Sequence, residues 1–195
     1  RHPSQKHSQR CVTLAAQGWV FYRWAAPCPT EISMIKHALS PADLISTDEV
    51  LAMSGLEFMQ GILDGENPAP PIGATMGYRL HEVSEGRAVF RGTPEFNVTN
   101  PMGTVHGGWY GTLLDSAMAC AVMTRVPRGS VYTTLEYKIN ITRAIPLGMT
   151  IDCIGTVDHA GRSTGVASGE IRGVDDGKLY ATGSTTCIIM AIKKP

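Results

Sequence analysis

Residues 107–126 form a helix-like run that is apolar on nearly every face, carrying Leu113, Leu114, Ala117, Met118, Ala119, Ala121 and Val122. A helix with no broad polar face must be covered on most sides. Four strand-like segments follow it, at residues 131–145, 150–160, 163–174 and 178–192, with only short turns between them. Tight turns between consecutive strands imply antiparallel pairing, so these four read as a meander. Upstream lie a helix-like stretch at 46–64, a stiff NPAPP connector at 67–71, and two shorter strands at 76–83 and 87–93 joined by a Glu85-Gly86 turn. The economical arrangement is an α+β fold in which one antiparallel sheet wraps around a long central helix. Internal repeats and low-complexity tracts are not evident.

The chain has 195 residues, enough for one domain with a tail. Residues 1–46 read as an N-terminal extension, partly disordered or of non-native start, and 47–195 as the folded domain. The composition changes near Met34, which reads as a natural start. Residues 1–26 faintly resemble a secretion signal, but Gln17, Gly18 and Arg23 interrupt the apolar part. Charged residues make up 17%, below the roughly 25% of typical soluble chains, which points to surface hidden in an oligomer. Lys+Arg and Asp+Glu are 17 each. A zero net charge does not indicate nucleic acid or an anionic membrane as partner. The five cysteines are scattered, with no CxxC and no zinc-like spacing. They read as free thiols of a reducing compartment, and a cytoplasmic location is expected. No run approaches the roughly 18–20 apolar residues of a membrane span.

One carboxylate stands out. Asp115 is the only acid between Glu95 and Glu136, and it sits inside the apolar run. A lone acid there is desolvated, partnered or at work, because burying an unpaired carboxylate is expensive. The segment before it, NPMGTVHGG, is a loop of turn formers ending at a helix start. A helix N-terminus offers free N–H groups and a positive dipole end, suited to a carbonyl becoming an oxyanion. The bland alternative for Asp115 is an interface carboxylate satisfied by hydroxyls such as Thr112 or Ser116. His106 reads as a loop-fixing ring as readily as a base, and Asn100, before Pro101, as a turn former. A Ser-His-Asp triad is disfavoured, because no GxSxG occurs and Ser116 points about 100° away from Asp115 on the helix.

The stretches NPMGTVHGG, LLDSAMACAV, TTLEYKINITRAIPLG, HAGRST and DDGKLYATGSTTCII together resemble the hotdog-fold acyl-CoA thioesterases, in the branch similar to the phenylacetic-acid-pathway (PaaI-like) thioesterases. The resemblance spans roughly residues 51–192. It implies hydrolysis of an acyl-CoA thioester, with Asp115 as general base or nucleophile and the Gly108 N–H polarising the carbonyl. Asn100 would orient substrate or water, Thr134 would help position the water, and His106-Gly107-Gly108 would close the loop. Gly107 and Trp109 would border the substrate. The phosphates of CoA need a local basic set, for which Arg125, Arg128, Lys138, Arg143, His159 and Arg162 are candidates, and the Gly161-Arg162-Ser163 turn matches where family members meet the nucleotide end. Trp109-Tyr110 is bulkier than the small residues many relatives carry, so the resemblance does not specify the acyl group. Neither metal nor cofactor is implied, CoA being part of the substrate. The site would span a dimer interface, and two dimers would form a homotetramer. The alternatives are a non-catalytic binder of acyl-CoA or aromatic ligands on the same scaffold, and a hotdog enoyl-CoA hydratase or dehydratase. The latter needs a catalytic His near the acyl chain, which this sequence does not clearly provide.

Overall fold

The computed structural model describes residues 35–192. The expectations for residues 1–34 lie outside the described residues.

The helical region splits where a second capping signal interrupts it. Helix α1 spans Thr47–Ala52 and helix α2 Gly55–Leu63. Each begins with a reciprocal box: Ser46 with Glu49, then Ser54 with Glu57. Such boxes satisfy the orphan amides of a first turn, so the single helix expected over 46–64 breaks at Met53-Ser54. A short helix, α3 (Pro71–Met76), opens on Pro71 and ends at Gly77, whose φ of 74° is a left-handed cap. The sequence reading placed strand there from residue 76. Strands β1 (Tyr78–Ser84) and β2 (Arg87–Gly92) form a hairpin. The central helix α4 spans Gly107–Met123. Strands β3 (Ser130–Ile141), β4 (Ile151–Ala160), β5 (Thr164–Gly173) and β6 (Leu179–Ala191) complete the sheet.

The six strands lie in the order β1-β2-β4-β5-β6-β3, with every pair antiparallel. The four-strand meander read from the sequence therefore needs correction. Only β4, β5 and β6 follow one another. β3 pairs with β6 at the far edge, and β4 pairs with β2. The link after β3 is long enough to cross, and α4 anchors it. The Ile145 N–H donates to the Tyr110 hydroxyl at 2.8 Å, and Thr142 and Arg143 N–H donate to the Tyr180 carbonyl. Tyr110 is buried in this role rather than facing a pocket.

The sheet wraps α4 closely. A Cβ on Gly155 of β4 would lie 2.1 Å from the Ala117 carbonyl oxygen, so the strand backbone rests directly on the helix. Leu113, Leu114, Ala117, Met118, Ala121 and Val122 are fully buried, and the larger of these contribute about 1.5–3 kcal/mol each. Beyond the first two residues of α4, its less buried positions, namely Thr112, Asp115, Ser116 and Cys120, recur at helical spacing and form one narrow stripe.

Candidate active site

That stripe faces the start of β3. The Thr134 hydroxyl donates to Asp115 Oδ1 at 3.0 Å, so the two residues singled out in the sequence do meet. A bulge at Leu135 interrupts the β3–β6 register between Thr134 and Glu136. Bulges re-aim neighbouring side chains, and this one lies beside Thr134. Asp115 is half-buried, and burial pushes its carboxyl above the ordinary Asp value, while the Thr134 donor pulls it back. A cleft of about 280 Å³ opens over Asp115, Thr134, Ser116, Cys120 and Tyr132. Ser116 Oγ lies 2.9 Å from the Tyr78 hydroxyl. Burial raises the Cys120 thiol to about 12 and the Tyr132 hydroxyl well above its usual value. Both therefore stay protonated, and Asp115 is the carboxylate of the cleft.

The loop before α4 is built differently from the expectation. Asn100 helps to close it: Oδ1 accepts from the Met102 and Thr104 N–H groups, and Nδ2 donates to Thr104 Oγ1 at 2.8 Å. This is the turn-forming role. His106 caps α4, its Nδ1 accepting the Gly108 N–H at 2.8 Å. The Gly108 amide expected to face a carbonyl is thus already donated. The Gly107 N–H, first of the helix, makes no hydrogen bond among the described residues.

Two of the expected substrate contacts are placed elsewhere. Trp109 is 1% exposed and donates from Nε1 to the Met76 carbonyl at 2.8 Å, packing the start of α4 against α3. It lines neither the cleft nor its neighbours. Arg128 pairs with Glu57 and donates to the Ala52 carbonyl at 2.6 Å, clamping α1 and α2 to the segment after α4. His159, Arg162 and Ser163 are exposed at the β4–β5 turn. Register links that turn to the cleft: Thr134 faces Cys187, Cys187 faces Gly165, and Gly165 faces Ala160. The turn therefore lies on the same row as Thr134, three strand spacings or about 14 Å away.

The sequence reading missed Cys120 and Tyr132, which wall the cleft, and Tyr78, whose hydroxyl bonds Ser116 beside it. The spacing of Asp115, Ser116 and Cys120 along one helix face carried a signal for Cys120. Nothing local marks Tyr78 or Tyr132, which arrive from other strands. Among the described residues, no group of His, Cys, Asp and Glu is arranged to hold a metal ion. No described helix is long and apolar enough to cross a membrane.

The thioesterase superfamily model matches residues 102–180. Solved structures share the fold. Conserved protein PA5202 from Pseudomonas aeruginosa is 31% identical over 61% of this chain and 93% of its own, with a TM-score of 0.57. A thioesterase family protein from Silicibacter pomeroyi is 25% identical over 62% of this chain and 90% of its own, TM-score 0.58. A point mutant of the phenylacetic acid degradation protein PaaI from Thermus thermophilus is 26% identical over 60% of this chain and 97% of its own, TM-score 0.55. No curated protein matches. With its six-stranded antiparallel sheet around one long helix, the chain belongs to the thioesterase superfamily as a hotdog-fold, PaaI-like member.

Proposed function

We propose that the protein hydrolyses acyl-CoA thioesters, with Asp115 as general base on water or as direct nucleophile. The observation that carries this reading is the half-buried Asp115 carboxylate, aimed by Thr134 into an open cleft. In the base route, Asp115 takes a proton from water as the water oxygen bonds to the carbonyl carbon. The C–S bond then breaks, CoA leaves as thiolate and takes that proton, and the acyl group departs as the acid. A thioester carries a good leaving group, so a carboxylate base and one oxyanion donor suffice.

The oxyanion donor is an amide at the start of α4, and Gly107 rather than Gly108 is the free one. One chain alone cannot bring that amide to Asp115. Two helical turns separate them, about 12 Å along the axis. First-turn N–H groups also point off the helix end, away from Asp115. The reading therefore requires a second copy.

The exposed edge strand β3 offers the geometry. It is 12 residues long and pairs only with β6 among the described residues. Leu135, Tyr137 and Ile141 on it are 60%, 46% and 47% exposed. α4 runs antiparallel beside β3: Gly107 adjoins Ile141, Gly111 adjoins Tyr137, and Asp115 bonds Thr134. Antiparallel pairing of two copies of β3 about Tyr137-Lys138 sets position 134 of one copy opposite 141 of the other. One copy's Asp115 then faces the other's Gly107. Pairing of two such dimers as a tetramer extends the same reading. His159, Arg162 and Ser163 would receive the CoA phosphates at the exposed turn in line with the cleft. No resident cofactor takes part, and a reducing, cytoplasmic setting suits Cys120, Cys153 and Cys187, which are free thiols.

The test is free-thiol release from an acyl-CoA panel. Intact protein is expected to release CoA, and Asp115→Asn, still folded and oligomeric, to lose about a hundredfold or more in kcat. Full activity in Asp115→Asn removes Asp115 from the mechanism.

A further inference from the structure

A second cavity, of about 340 Å³, adjoins the Asp115 cleft. The two share Ser116, Cys120 and Tyr132 as walls, so they meet on the helix face that carries Asp115. The walls come mostly from outside the α4–β3 site. Met59 and Ile62 project from α2, Ile72 from α3, and Leu80 and Phe90 from the β1–β2 hairpin. A strap at residues 36–45 borders it. The Ala38 N–H donates to the Ala69 carbonyl at 2.9 Å, and the Ala69 N–H to the Lys36 carbonyl at 2.7 Å, which fixes the strap beside α3. Leu44 and Ile45 of the strap then reach the cavity, Leu44 remaining 49% exposed.

We infer that this cavity is the acyl chamber of the same chain, and that its strap-bounded volume selects straight medium-length acyl groups over both short and long chains. The inference rests on the hydrolase reading of the Asp115 cleft. The walls are apolar while the cleft is polar, which suits a molecule with a reactive carbonyl at one end and hydrocarbon beyond it. At roughly 30 Å³ per water-sized group, the cavity holds about eleven heavy atoms. A chain of about eight to ten carbons fills it. A two-carbon chain leaves it empty, and a sixteen-carbon chain must push the strap outward. Each methylene moved from water into such a space contributes about three- to fourfold in binding. The Tyr78–Ser116 hydrogen bond lies beside the place where the two cavities meet, so each hydroxyl has a partner there.

Chain-length profiling tests this. With the intact protein, kcat/KM is expected to rise at least about tenfold from acetyl-CoA to octanoyl- or decanoyl-CoA, and to fall at palmitoyl-CoA. Ile62→Trp, which fills the chamber, lowers the decanoyl-to-acetyl ratio about tenfold. Leu44→Ala, at an exposed position that leaves the fold unburdened, raises the palmitoyl-to-decanoyl ratio. Titration calorimetry on Asp115→Asn with the thioether S-decyl-CoA separates binding from chemistry. It is expected to bind at least about tenfold tighter than CoA, and Ile62→Trp to erase the difference. S-decyl-CoA binding no tighter than CoA, or ratios unmoved by both Ile62→Trp and Leu44→Ala, overturns the chamber whether or not thioesters are hydrolysed. Chamber-dependent binding of S-decyl-CoA with no hydrolysis of any acyl-CoA overturns the hydrolase reading and leaves the chamber standing.

Discussion

Asp115 is held between two opposing influences, and both are measurable. Burial raises its carboxyl above the ordinary range, and the Thr134 hydroxyl stabilises the ionised form. As a base it works only when deprotonated, so kcat/KM is expected to climb with pH through a limb lying above the usual Asp value. Thr134→Val removes the donor. The limb then moves to still higher pH, and kcat falls about tenfold at neutral pH. A pH–rate profile reads both, and an unmoved limb removes Thr134 from the role. The same shift has a stability sign. A carboxyl with a raised folded-state pKa favours the fold when protonated, and that contribution is lost as pH rises through the folded value. At neutral pH the ionised, half-buried group is therefore a cost. Asp115→Asn is expected to melt a few degrees higher than the intact protein at pH 7, and the gap should close under acid.

At the scale of elements, the site depends on how closely β4 and β5 approach α4. Gly155 has no space for a side chain, its Cβ position being 2.1 Å from a helix carbonyl. Gly169 would meet only the Met118 and Leu114 side chains, at 2.7–3.1 Å. Backbone cannot yield as a thioether can. Gly155→Ala is thus expected to cost about 3 kcal/mol or more, and Gly169→Ala about 1 kcal/mol. Urea unfolding of both variants checks the order, and equal costs would contradict it. Tyr110 holds the crossover that carries the chain from β3 to β4. Tyr110→Phe leaves the buried Ile145 N–H without its acceptor and is expected to cost about 1–3 kcal/mol.

At the scale of the whole molecule, the proposed site is divided between copies. Proline suits the first position of a helix and lacks an N–H. His106 has the extended backbone, with ψ 139°, that a residue before proline adopts. Gly107→Pro therefore deletes one amide and spares the fold. Gly107→Pro and Asp115→Asn are each expected to be inactive alone. Unfolded and refolded together, they should recover about a quarter of full activity, because half the dimers are mixed and one of their two sites is intact. Mixing that recovers nothing, with mixed dimers demonstrated by sedimentation or mass spectrometry, excludes a shared site.

Much of this was legible in the residues themselves. The all-apolar run of α4 demanded a surrounding sheet, turn chemistry marked five of the six strands to within a few residues, and the isolation of Asp115 drew attention to it. These are local properties: periodicity, capping and the cost of burying a charge. Even the split of the first helix is written in Ser54 and Glu57, once two capping boxes are looked for. Strand order was not local. Nothing between residues 142 and 150 states that the chain crosses to the other side of β4–β6; Tyr110, held on a distant helix, decides it. Side-chain commitments were equally hidden. Asn100, Gly108, Trp109 and Arg128 read as site residues by type and position, and in the folded chain each donates within the protein, to Thr104, to His106, to Met76, and to Ala52 and Glu57. Asp115 and Thr134 read the same way and proved to be partners. The difference lies in which groups the folded chain brings within about 3 Å of one another, and only tertiary packing sets those distances.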